Sequence, residues 1–197
     1  MIALFQKHQP RLIIVVRFFL GLTFFSSGMA KLYFEHSFPG FIGPVWLEDE
    51  LSTYGLGLYA RFIGASQVTI GLLLLTQRFA TLGAIMCLPM ISNIFMVTVS
   101  LGWQGTPYVN AFLIVLNLWL LIYDYPKLRF IFAERHMATR EISTRRSNPK
   151  ADLIWAIGIL TVLASIPLSY VHLEIAWGLC ALALGGIAWN QLRKKKK

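Results

Sequence analysis

Residues 79–123 read FATLGAIMCLPMISNIFMVTVSLGWQGTPYVNAFLIVLNLWLLIY, 45 residues without one Asp, Glu, Lys or Arg. A helix that crosses the hydrocarbon of a bilayer needs about 20 apolar residues. This stretch holds enough for two crossings, and Gly102, Gly105 and Pro107 in its middle break the chain between them. No soluble core calls for so long an uncharged run, so the fold is decided here: a polytopic membrane helix bundle.

Working outward, the same pattern recurs. Residues 153–173 and 175–192 are also free of charged side chains. Six transmembrane helices are expected, at residues 12–33, 56–76, 80–101, 108–125, 153–171 and 174–190. Gln77 and Arg78 form a tight turn after the second span, and Pro126 ends the fourth. The composition agrees: 56% of the 197 residues are apolar and only 14% are charged, against roughly 25% charged in a soluble domain. Arg17 interrupts what would be the apolar core of a signal peptide, so the first span is expected to be retained.

Charge placement sets the expected orientation. Of the 18 basic residues, 15 lie in the N-terminal tail, the turn at Arg78, the loop 126–152 and the C-terminal RKKKK. The alternate loops carry Glu35, Glu48, Asp49, Glu50 and Glu174 and no Lys or Arg. By the positive-inside rule both termini are cytoplasmic, as in a bacterial inner-membrane protein. The formal charge of +9 then serves orientation and anionic lipid, not nucleic acid. Tyr33, Trp46, Trp103, Tyr108, Tyr170 and Trp177 are expected at the outer interface, and Tyr123, Tyr125, Trp155 and Trp189 at the inner one. In the long outer loop 34–55, residues 45–51 read either as a short interfacial helix with Trp46 and Leu47 toward lipid or as a cap on the bundle.

Ionisable groups inside a membrane are costly, so each needs a partner or a wet site. Arg17 in the first span and Asp124 at the end of the fourth fall at the same face and form a candidate ion pair, with snorkelling of Arg17 as its rival. Lys31 and Arg61, at similar depth on neighbouring antiparallel spans, repel one another unless an anion lies between them. That anion is either a carboxylate of the outer loop or a bound ligand. Lys31, Arg61 and Gln67 are therefore candidate ligand-binding residues. Asn110, Asn117 and Asp124 recur every seven residues and share one stripe, to which Asn93 adds a polar group. The stripe reads as interhelical hydrogen bonding or as the wall of a quinone or proton site. Cys87 and Cys180 form no CxxC. His36 and His172 alone make no metal site, and no nucleotide or protease motif is present. Ala181 and Gly185 form a small-residue pair suited to helix packing.

The segment RFFLGLTFFSSGMAKL at 17–32 resembles the opening of the DoxX-like family, with Arg17, Leu20, Gly21, Gly28, Lys31 and Leu32 matching. QVTIGLLLL at 67–75, followed by Arg78, is similar to that family's second span. Gly71 matches there, and Gln67 stands where the family often has glutamate, so no proton-coupled role carries over. The resemblance extends over residues 12–132 and implies a four-helix membrane unit. A basic linker (133–152) and an added helical hairpin with a basic tail (153–197) follow it. The resemblance also implies an accessory, non-catalytic subunit of quinone-linked redox metabolism, with quinone as the candidate cofactor and a redox subunit as partner. The rivals are a scaffold whose basic loop 126–152 binds a cytoplasmic partner, and a small-molecule carrier, which the lack of repeats and buried carboxylates disfavours.

Overall fold

The computed structural model describes residues 2–43, 46–132 and 149–195. Every regular element in them is helical: α1 (Ile2–Leu32), a 3₁₀ turn (Phe34–His36), α2 (Leu47–Ser52), α3 (Gly57–Leu75), α4 (Ala80–Ser100), α5 (Thr106–Phe132), α6 (Pro149–Leu168) and α7 (Leu173–Lys195). Within α1, α3, α4, α5 and α7 lie stretches long and apolar enough to cross a membrane, while the apolar part of α6, Asp152–Leu168, is shorter. The protein is a helical membrane protein.

Two compact units divide at Asp124, inside α5. In the first, α1, α3, α4 and α5 share one core. Leu20 and Phe24 of α1 meet Ile70 and Leu74 of α3, Cys87 and Ile91 of α4, and Leu113 and Leu120 of α5. Glycines set the seam between α1 and α3. A Cβ on Gly28 would lie 2.6 Å from the Gly64 carbonyl oxygen, one on Gly21 would lie 2.9 Å from the Leu75 nitrogen, and one on Gly71 would strike the Phe25 backbone. Gly21 and Gly28 on α1, and Gly64 and Gly71 on α3, are each spaced by seven residues. They line one face of each helix and let the two antiparallel backbones close up. Dispersion between tightly apposed backbones is the main drive for association in lipid, where burial of apolar surface supplies none.

In the second unit α6 packs on α7. Gly158 makes room for Ile187, whose side chain would lie 2.6 Å from an added Cβ. Gly185 meets nothing within 4 Å, so the Ala181/Gly185 pair makes no close helix contact among the described residues. Helix α6 stops at Leu168, three residues before the expected end of its span, and the chain turns through Ser169–Val171. Residues 133–148 of the expected linker lie outside the described residues.

One further expectation is corrected, and one pair of alternatives is decided. Pro126 does not end α5, which runs on to Phe132. The hydrogen bond lost to the Ile122 carbonyl is one local cost, on a turn whose Ile122 side chain is exposed. Leu47 does not face lipid: it is buried with Leu51 against Ala60 and Ile63, so α2 caps the bundle while Trp46 stays exposed. The loop before α2 runs back along α1 with Pro39, Gly40, Phe41 and Gly43 exposed. The chain reverses through left-handed Glu35 and His36 and returns alongside α1. The Phe41 N–H donates to Ser26 Oγ at 3.1 Å, and Phe38 packs edge-on against Phe25 and Tyr33. Ser26 is six residues before the end of α1, so the loop descends roughly 9 Å along the helix axis. Irregular backbone at such a depth is tolerated where it is covered by protein or lines a cavity.

Candidate functional site

That loop closes a cavity of about 30 Å³ in the first unit. Thr23, Ser27 and Lys31 reach it from one face of α1, spaced four residues apart so that they stack along the helix. Gln67 and Ile63 enter from α3, Thr98 from α4, and Thr106 and Asn110 from α5. Gly43 closes the wall at φ 114°, and a Cβ there would lie 2.9 Å from Ser27 Oγ. Only glycine both adopts that backbone and leaves that space.

Lys31 is 5% exposed. Its ammonium donates to Ser27 Oγ at 2.8 Å and to the Ser27 carbonyl at 3.1 Å. An ammonium has three donors, so one remains. Among the described residues no carboxylate lines the cavity and none pairs with Lys31. Gln67 Oε1 and Thr23 Oγ1 are buried in the same wall without a hydrogen-bond partner. Groups of this kind cost about 1–3 kcal/mol each when left unsatisfied. A cation inside a span costs up to about 3 kcal/mol more. The arrangement suits something small and polar held between Lys31, Gln67 and Thr23.

Of the three ligand candidates, the structure brings Lys31 and Gln67 to one cavity and leaves Arg61 out of it. Arg61 is largely exposed, and its Nε donates to Glu48 Oε1 at 2.6 Å. A carboxylate of the outer loop, Glu48, thus lies beside Arg61, while among the described residues none lies beside Lys31.

The polar stripe divides. Asn110 lines the cavity and its amide lies 3.4 Å from Thr98 Oγ1. Asn117 is fully buried and donates to the Ala84 carbonyl at 3.1 Å, joining α5 to α4. Asp124 accepts from Arg17 Nη2 at 2.5 Å and from Thr81 Oγ1 at 2.9 Å, tying α5 to α1 and α4. Asn93 stands apart on an exposed face of α4, where it accepts a hydrogen bond from the Tyr59 hydroxyl. That pair lies on the wall of a second, open hollow of about 650 Å³ between α3 and α4, along with Pro89, Ser92, Met96 and Ser100.

Sequence reasoning missed Thr23, Ser27, Thr98 and Tyr59. The first two carried a signal: with Lys31 they form a polar i, i+4, i+8 row on α1. Tyr59 carried none, because its partner is 34 positions away. Among the described residues no group of three His, Cys, Asp or Glu gathers into a metal site.

The chain is similar to the uncharacterized protein YwoB of Bacillus subtilis (strain 168), 30% identical over 140 residues that span 66% of this chain and 87% of the relative. That similarity makes the two chains members of one family. No protein-family model matches the chain, and no solved structure does.

Proposed function

From the premise that the chain belongs to the family of YwoB, we propose that it is a six-span, DoxX-like protein of the bacterial cytoplasmic membrane. Its role is that of a non-catalytic accessory subunit in quinone-linked redox metabolism. Basic residues at both ends of the chain call for an even number of crossings, with both termini cytoplasmic. The 17 residues of the apolar part of α6 extend roughly 26 Å, short of a hydrocarbon core of about 30 Å by an amount that local thinning absorbs. The DoxX-like reading is supported by where its motif residues fall. Gly21, Gly28 and Gly71 form the close α1–α3 seam, and Lys31 and Gln67 share the cavity beside it.

The observation that carries the quinone reading is the hollow between α3 and α4. Its volume of about 650 Å³ lies in the usual range for small-molecule sites; the closed cavity at Lys31 is too small for a ring. Among the described residues its wall is apolar except for Tyr54, Ser92, Ser100 and the Tyr59–Asn93 pair. With Asn93 Oδ1 occupied by the Tyr59 hydroxyl, the Asn93 amide N–H groups are left to serve a carbonyl acceptor. A quinone offers two carbonyls and an isoprenoid tail that lipid accommodates. The basic cytoplasmic residues attract anionic lipid and give a redox partner subunit an acidic surface to match.

Native mass spectrometry with lipid extraction tests this on gently solubilised protein. Stoichiometric quinone is expected in the wild type, and at least tenfold less in Asn93→Leu. Wild-type protein that carries bulk phospholipid alone overturns the reading.

A further inference from the structure

We propose that the closed cavity at Lys31 is a binding site for one small monovalent inorganic anion of the halide class. The site is distinct from the hollow that takes the quinone and does not depend on it.

Charge makes the first case. Lys31 is buried, and no Asp or Glu lines its cavity. None of Glu35, Glu48, Asp49 and Glu50 of the neighbouring loop lines the cavity; Glu48 holds Arg61, and Asp49 is largely exposed, 3.9 Å from His36. A buried ammonium without a counter-charge is neutralised or bound to one that diffuses in. The second case is the inventory of donors. Lys31 retains one N–H after its two bonds to Ser27. The Thr23 hydroxyl is unpartnered, and so is the Gln67 Oε1 atom; turning that amide over exchanges its oxygen for its NH₂, a donor. Three side chains able to donate, lining one cavity with no carboxylate among the described residues, describe an anion site. Size is the third case. A volume of about 30 Å³ is two or three times what one water-sized sphere needs. A halide fits there; sulfate, phosphate and carboxylates larger than formate do not. Gly43 of the descending loop lies against Ser27 and near the ammonium, so the loop shields the ion from bulk water and strengthens the attraction.

The test uses the purified full-length chain in detergent. Tryptophan-fluorescence melting is followed in potassium chloride, bromide, gluconate and sulfate at equal ionic strength, with equilibrium dialysis of radioactive chloride beside it. Chloride and bromide are expected to raise the melting temperature saturably by about 3–5 °C at tenfold excess over Kd, with one chloride bound per chain. Gluconate and sulfate should do neither. Lys31→Met should abolish both responses. Gln67→Leu should weaken chloride binding roughly tenfold, the loss expected for one hydrogen bond to a charged group, and it keeps the proposal testable should Lys31→Met fail to fold. Equal melting in all four salts with no bound chloride overturns the proposal. So does chloride binding that survives in Lys31→Met. Loss of quinone in Asn93→Leu leaves the chloride response intact, so the two sites fail separately.

Discussion

Helix α1 carries Arg17 and Lys31 within its apolar stretch, and the first unit treats them in opposite ways. Arg17 meets Asp124 of α5, whose same oxygen also accepts from Thr81 of α4. The charge is cancelled on the spot, and three helices are tied together. Lys31, fourteen residues along, meets hydroxyls, an amide and open space. One cation is spent on architecture and the other is left available. Burial alone therefore does not mark a functional residue in a membrane bundle; what marks it is burial without an answering charge, beside groups that also lack partners.

The comparison can be broken at its structural end first. Asp124→Ala should give the largest loss, about 3–5 kcal/mol, because it strands a buried guanidinium. Denaturant titration in bicelles measures it, and the double change Arg17→Met with Asp124→Leu should recover most of the loss. A single change as mild as a surface substitution would show that Arg17 escapes to the interface. The next largest effect belongs to the α1–α3 seam that holds both cations. Gly28→Val should cost about 1–3 kcal/mol or more by forcing the backbones apart. Gly178→Ala, which meets nothing within 4 Å, should be neutral or stabilising by up to about 1 kcal/mol. Thermal melting of the two variants side by side decides whether the seam is as tight as its register indicates. At the functional end, Lys31→Met in halide-free buffer should change stability by less than about 1 kcal/mol, since an uncompensated buried charge is exchanged for a side chain of similar size. A loss as large as that of Asp124→Ala would erase the distinction between the two cations. The smallest effect should come from Arg61→Ala. Its pair with Glu48 is exposed on the arginine side, and such pairs contribute at most about 1 kcal/mol.

Parts of this were legible in the chain and parts were not. The uncharged run 79–123 and the turn residues inside it announce α4 and α5, because an apolar span and a glycine break are local properties. Arg17 and Asp124 could be matched by depth alone, since antiparallel spans of known length bring their ends to common levels. Depth failed for Lys31 and Arg61. It put them at one level and said nothing of the direction in which each side chain leaves its helix. The seven-residue spacing put Asn110, Asn117 and Asp124 on one stripe, and each lies in the bundle interior. Asn93, added to them by depth, faces the other way toward Tyr59.

Composition and charge order by themselves determined that this is a helical membrane protein, with its helices α3 and α4 near the expected bounds, because hydrophobic length and charge act locally on each segment. Only the tertiary structure decided that the loop after α1 turns back along that helix, that Gly43 forms part of the wall of a cavity beside Lys31, and that Arg61 is handed to Glu48 instead. Those outcomes depend on the rotation of each helix about its own axis. Close contact between the glycines of α1 and α3 sets that rotation, and such contact exists only when two distant segments are brought together.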